Sequence, residues 1–146
     1  MAAVREILYQ KQNAALRYAR PEETVLAATQ RMNEFGIGAL LVIDEGRLVG
    51  IFTERDVLRR VVAAELPPDT VRVADVMTTE IAYCTPETPI DDARNTFKQY
   101  RIRHLPVVDP DGEVQGLISI GDLNAYDANH QEVTIHFLNE YLYGRV

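Results

Sequence analysis

Cysteine is almost missing from this chain: Cys84 stands alone among 146 residues. That excludes an internal disulfide and any metal site built from several cysteines, and it points to a reducing compartment. Within Ile81-Ala82-Tyr83-Cys84-Thr85 the thiol reads as a small buried apolar group of a strand rather than a nucleophile. No apolar run approaches the roughly 20 residues that a bilayer crossing needs. The N-terminus also lacks the basic and apolar blocks of a signal peptide, so a soluble, cytoplasmic protein is expected. Basic residues are in deficit too. A formal net charge of −7 argues against a broad basic face for nucleic acid or for an anionic membrane surface.

Catalytic signatures are equally scarce. Ser119 is the only serine, and Leu117 stands where a Gly-x-Ser-x-Gly elbow needs glycine. Gly36-Ile37-Gly38 is a fragment of a dinucleotide fingerprint that precedes a strand, so turn geometry explains it better. His130 and His136 lie six apart on a predicted helix and face different sides, which argues against a shared metal site. Neither an enzyme nor a metal cofactor is expected.

What the chain does have is an internal repeat. Pro21-Glu22 recurs as Pro86-Glu87, and at that offset of 65 Val25, Ala28, Met32 and Phe35 fall on Ile90, Ala93, Phe97 and Tyr100. Both sets have the spacing of one helical face. Leu40-Leu41-Val42-Ile43-Asp44 matches Leu105-Pro106-Val107-Val108-Asp109; after a one-residue insertion, Leu48-Val49-Gly50-Ile51-Phe52 matches Val114-Gln115-Gly116-Leu117-Ile118. Asp/Gly-rich connections join each pair as hairpins. Ala15–Ala19 and Ile81–Thr85 are short strand candidates ahead of the helices, and Val4–Leu8 echoes Val73–Met77. The fold class is therefore α/β, two βαββα repeats in tandem. The boundaries expected are 4–66 for the first repeat, 67–72 for a Pro-rich linker, 73–128 for the second and 129–146 for a helical tail. In that tail Val133, Phe137, Leu138, Tyr141 and Leu142 form an apolar face. A half of about 70 residues is marginal alone, so the repeats are expected to share one cooperative unit.

Each repeat ends on a hydroxyl and a carboxylate three residues apart: Thr53-Glu54-Arg55-Asp56 and Ser119-Ile120-Gly121-Asp122. A Ser/Thr followed by an acid at that spacing is a capping box, and it stabilises helix starts without binding anything. The same geometry also offers a hydroxyl and free backbone N–H groups to a ligand, with the carboxylate accepting from a ribose diol. Residues 71–146 carry 6 Lys/Arg against 12 Asp/Glu, yet Arg101, Arg103 and His104 stand together before a strand. In an acidic half such a cluster suggests a small anionic ligand, with Arg making bidentate contacts to phosphate. Ile102, Leu105, Pro106 and Ile118 are candidates to sandwich a base, and backbone near Tyr83 to read its edge. The equivalent loop of the first repeat, Gly36-Ile37-Gly38-Ala39, carries no charge.

The doubled ending, Gly50-Ile51-Phe52-Thr53-Glu54-Arg55-Asp56 and Gly116-Leu117-Ile118-Ser119-Ile120-Gly121-Asp122, resembles the CBS domain pair, or Bateman module, over about residues 4–127. Ile37–Val42, Arg101–Val107 and Leu138-Asn139-Glu140-Tyr141 resemble stand-alone members of that family. The resemblance implies a regulatory module with pseudo-two-fold symmetry. Such modules bind AMP, ADP, ATP, NAD or S-adenosylmethionine between the repeats, commonly dimerise, and act on a separate regulated protein. By position in the motif, Ser119 and Asp122 would hold a ribose in one cleft and Thr53 and Asp56 in the other, with Ile120 and Arg55 between them as further ligand-binding residues. Arg103 and His104 would face phosphates. Gly38 and Ala39, uncharged at the matching positions, set the Thr53/Asp56 cleft apart. A scaffold whose clefts are vestigial is the competing expectation.

Overall fold

The computed structural model describes residues 2–11 and 16–130. The expected tail face and His136 lie outside the described residues, as does Ala15 of the first strand candidate.

Helix α1 spans Val4–Gln10 and is followed by β1 (Tyr18–Ala19), α2 (Val25–Phe35), β2 (Ala39–Asp44) and β3 (Arg47–Thr53). A short helix α3 (Glu54–Asp56) continues as a π-helical stretch, Val57–Val62, with i to i−5 bonds such as Ala63 N to Leu58 O at 2.9 Å. A single turn, α4 (Val73–Val76), then leads to α5 (Ile90–Tyr100), β4 (His104–Val108), β5 (Val114–Ser119) and a last helix, α6, over residues 120–130. Among the described residues no helix is long and apolar enough to cross a membrane.

The two halves are built alike. Helix α2 starts at Thr24, whose Oγ1 accepts from Ala27 N at 3.1 Å, and buries Val25, Ala28 and Met32; α5 buries Ile90, Ala93 and Phe97 at the matching positions. Each ends on a left-handed residue: Gly36 at φ 62° in the first half, Arg101 at φ 53° in the second. The β2–β3 hairpin turns through Glu45 and Gly46, both at positive φ, as a two-residue turn that follows the strand twist requires. The β4–β5 turn is longer, and there Asp109 Oδ1 accepts from the N–H groups of Asp111 and Glu113, each at 2.9 Å. Both hairpins shift register at equivalent points, between Val42 and Ile43 and between Val107 and Val108.

The five-residue strand candidates are shorter in the structure. Tyr18 and Ala19 pair in parallel with Leu41 and Val42, and in the second half only Cys84 bridges to Val107. A proline two residues on, Pro21 or Pro86, removes the next donor and turns the chain away. Cys84 is buried, its thiol pushed up to about 12 by burial, with Sγ 3.7 Å from the Pro106 carbonyl.

Two cores form, and they do not follow chain order. Val4 and Ile7 of α1 lie in one core with Ile90, Phe97, Leu105 and Ile118 of the second repeat. Val73 and Val76 of α4 lie in the other with Val25, Met32, Leu40 and Phe52 of the first. Backbone bonds fix this exchange: Val4 N donates to Thr88 O at 2.8 Å, and Val73 N donates to Glu23 O at 2.8 Å. Each short helix thus docks at the start of the opposite repeat's long helix. Packing units and sequence repeats are therefore displaced by one element.

Candidate ligand cleft

The exchange of α1 carries it onto β5. Leu8 covers Gly116 so closely that a Cβ there would sit 2.8 Å from Leu8 Cδ2. Beside this contact a cavity of about 550 Å³ opens between the repeats. Its walls come from α1 and the residue that caps it (Leu8, Lys11), the approach to β1 (Leu16, Arg17), the end of α2 with its loop (Phe35 to Ala39), His104, and β5 into α6 (Gln115 to Leu117, Ser119, Asp122).

At the β5–α6 junction Ser119 and Asp122 form the capping box: Ser119 N donates to Asp122 Oδ2 at 2.8 Å, and Asp122 N donates to Ser119 Oγ at 3.0 Å. Lys11 Nζ reaches the same Oδ2 at 2.8 Å and also donates to the Leu117 carbonyl at 2.7 Å. Among the described residues Asp122 Oδ1 has no hydrogen-bond partner, and the side chain keeps 23% of its surface exposed. A free carboxylate oxygen on a cavity wall can accept from a ligand hydroxyl.

Thr53 and Asp56, the pseudo-equivalent pair, are arranged differently. Asp56 is 5% exposed. Its Oδ2 accepts from Thr53 N at 3.0 Å, and its Oδ1 accepts from Thr78 Oγ1 at 3.0 Å with Arg60 Nε 3.8 Å away. Both oxygens are thus engaged within the protein, and neither Thr53 nor Asp56 lines the cavity.

The loops are crossed relative to the sequence expectation. Gly38 and Ala39, expected to belong with Thr53 and Asp56, line the Ser119/Asp122 cavity, whereas Arg103 does not. Arg103 is exposed, with its carbonyl accepting from Ile120 N at 3.0 Å, and Arg55 Nη1 donates to the Arg101 carbonyl at 3.0 Å. Each loop keeps a backbone bond to its own repeat's helix start, Glu54 N donating to Gly38 O at 3.0 Å as Ile120 N does to Arg103 O, while Gly38 and Ala39 also reach the cavity that holds Ser119 and Asp122. The end of β5 thus shares its cavity with the loop before β2. Ile118 is fully buried in the second core, Pro106 is buried on β4, and Ile102 and Ile120 pack against that core, so none of the four lines the cavity. Tyr83 is exposed and stands away from it.

His104 does line the cavity. It faces Gly38 and Glu54 near the pseudo-dyad, where a Cβ built on Gly38 would lie 3.4 Å from His104 Cε1 and 3.3 Å from Glu54 Cδ. Burial holds its imidazole below the usual histidine range, with the Arg103 and Lys11 charges acting the same way against the opposing pull of Glu54 and Asp122. Two cations of the cavity, Lys11 and Arg17, escaped the sequence reading. The signal available for Lys11 was its rarity, because only Lys98 shares its type.

Comparison with known proteins identifies the architecture. The CBS domain model matches residues 4–63 and again 73–129. The chain belongs to the CBS-domain family. Among its relatives, the mitochondrial CBS domain-containing protein CBSX3 of Arabidopsis thaliana is 34% identical over 84% of this chain and 62% of its own length. The chain spans less than two thirds of the curated Arabidopsis proteins that it matches first. A CBS-domain protein from Burkholderia ambifaria superposes with a TM-score of 0.79 at 39% identity, covering 84% of this chain and 90% of that one. CBSX2, solved in complex with AMP, superposes with a TM-score of 0.69 at 25% identity, covering 80% and 90%. The CBS pair is thus an α/β module of two repeats, and its cleft lies where the repeats meet.

Proposed function

We propose that this CBS pair is a regulatory sensor that binds one adenine nucleotide per chain in the Ser119/Asp122 cleft and passes the signal to a separate partner protein. The observation that carries this reading is the cavity itself: about 550 Å³, bounded by both repeats, with Asp122 on its wall and the Asp122 Oδ1 unengaged among the described residues. That volume falls within the roughly 300–1,000 Å³ range of small-ligand sites. Binding of AMP by the relative CBSX2 supports the ligand class, and AMP, ADP, ATP and NAD are the candidates. Asp122 would accept from the ribose diol, with the Ser119 box fixing its orientation. One ligand per chain follows from the engagement of both Asp56 oxygens. The binding is non-covalent: Ser119 Oγ already accepts from Asp122 N in the capping box. A homodimer is part of the proposal, supported by the exposed Leu58, Val62 and Leu66, which recur every fourth residue after α3.

Isothermal titration with AMP, ADP, ATP and NAD tests this. Saturable binding near one per chain is expected, and Asp122→Ala should weaken it about 10- to 100-fold by removing charge-assisted hydrogen bonds. An unchanged affinity in Asp122→Ala would remove the acid from the site, and no binding to any of the four would favour the scaffold reading.

A further inference from the structure

The cleft's charge is set by the N-terminal segment rather than by the loop before β4. Among the described residues three charged side chains line it: Lys11, Arg17 and Asp122. Lys11 and Asp122 neutralise each other across 2.8 Å. Arg17 has no carboxylate within ion-pair distance among the described residues, and its guanidinium lies 3.7 Å over the Phe35 ring, which itself forms part of the wall. Stacking on an aromatic face restrains the guanidinium without using its hydrogen-bond donors. The result is one uncompensated, restrained cation inside a partly desolvated cavity, where charge interactions are stronger than in bulk water.

We propose that Arg17 is the specificity-determining residue of this cleft, making it take a phosphorylated adenosine in preference to an uncharged or sulfonium-bearing one. This rests on the reading of the cleft as an adenosine site. A phosphate supplies the negative charge that the cavity lacks and matches the planar donor fork of Arg. S-adenosylmethionine carries a net positive charge, its sulfonium and ammonium outweighing a single carboxylate, and adenosine brings no charge at all. Lys11 acts beside this as a positioning residue, because with Asp122 neutralised the acid that holds the ribose does not repel the phosphate.

The test compares AMP, adenosine and S-adenosylmethionine by titration against the full chain and its Arg17→Gln and Arg17→Lys variants. Wild type should prefer AMP to adenosine by about 10-fold or more, the effect of one charge-assisted contact. Arg17→Gln should bring that ratio to within about threefold by weakening AMP far more than adenosine, and Arg17→Lys should retain part of the preference. Equal weakening of AMP and adenosine in Arg17→Gln would make Arg17 a general wall of the site and overturn the proposal. So would a wild type that binds both alike, in which case the adenosine reading stands. Failure of all three compounds to bind would remove that reading, and the proposal with it.

Discussion

The two hydroxyl–carboxylate pairs show how one residue pattern is put to two uses. Asp122 and Asp56 both close a capping box, but among the described residues Asp122, which lines the cavity, keeps one oxygen unengaged, whereas Thr78 takes the second oxygen of Asp56. Asp56→Ala should therefore lower stability by about 1–3 kcal/mol, the cost of leaving buried donors unpaired. It should leave the stoichiometry of nucleotide binding unchanged, as denaturant melts and titration of the same variant would show. His104 gives a pH signature. Its imidazole is held below the ordinary histidine value in the folded chain, chiefly by burial, so the unfolded chain binds the proton more tightly. The stability linked to the neutral ring is complete above about pH 6.5, the unfolded value, and is lost as pH falls toward the depressed folded value. Denaturant midpoints measured from pH 7.5 to 5 should fall more steeply for wild type than for His104→Gln. The sequence set the Thr53/Asp56 cleft apart through the uncharged Gly38 and Ala39, but the contacts that distinguish the two acids were not legible in it. The motif appears twice as a hydroxyl and an aspartate three residues apart, and what separates the copies is a partner contributed from outside each motif: Thr78 for one, Lys11 for the other.

At the scale of elements the repeat announced itself. The helices at Val25–Phe35 and Ile90–Tyr100 and both hairpins follow from apolar spacing and turn residues, and local chemistry suffices to fix them. Which loop faces which cleft does not follow from spacing. It depends on how the two halves meet, which brings Gly38 and Ala39 to the Ser119/Asp122 cavity and leaves Arg103 off its wall. The seats of α1 and α4 were hidden for the same reason, although two glycines mark them in retrospect. Gly50 receives Met77, and Gly116 receives Leu8. A Cβ at Gly50 would meet Met77 Sδ at 2.5 Å and the Thr78 backbone carbonyl at 3.1 Å, whereas at Gly116 it meets only the tip of Leu8 at 2.8 Å. The flexible end of Leu8 can swing aside; the Thr78 backbone cannot move without Asp56 losing a partner. Gly50→Ala should thus destabilise by about 1–3 kcal/mol, the usual cost of overpacking, and Gly116→Ala by clearly less. Thermal melts of the two variants side by side check the order.

For the whole molecule, the exchanged helices decide how it unfolds. A chain whose repeats were self-contained would tolerate loss of α1 with damage confined to the first half. Here α1 donates Val4 and Ile7, 0% and 1% exposed, to the core of the second half, and its backbone N–H groups at Val4 and Arg5 donate to Thr88 and Pro86. Burying two such side chains contributes roughly 1.5–3 kcal/mol each. That is a large share of the 5–15 kcal/mol typical of a domain's entire stability. Deleting residues 1–10 should therefore open the second repeat while the first keeps its core, because α4 supplies Val73 and Val76 to that one. Amide hydrogen exchange reads the difference directly: protection should drop across Ile90–Tyr100 and His104–Val108 and persist across Val25–Phe35 and Ala39–Asp44. Loss of protection confined to the first repeat would mean that α1 belongs to the half it precedes. The same deletion leaves Lys11 without the helix that holds it against Asp122. Local opening of the second half and disturbance of the ligand cleft should thus appear together, with the N-terminal helix as their common cause.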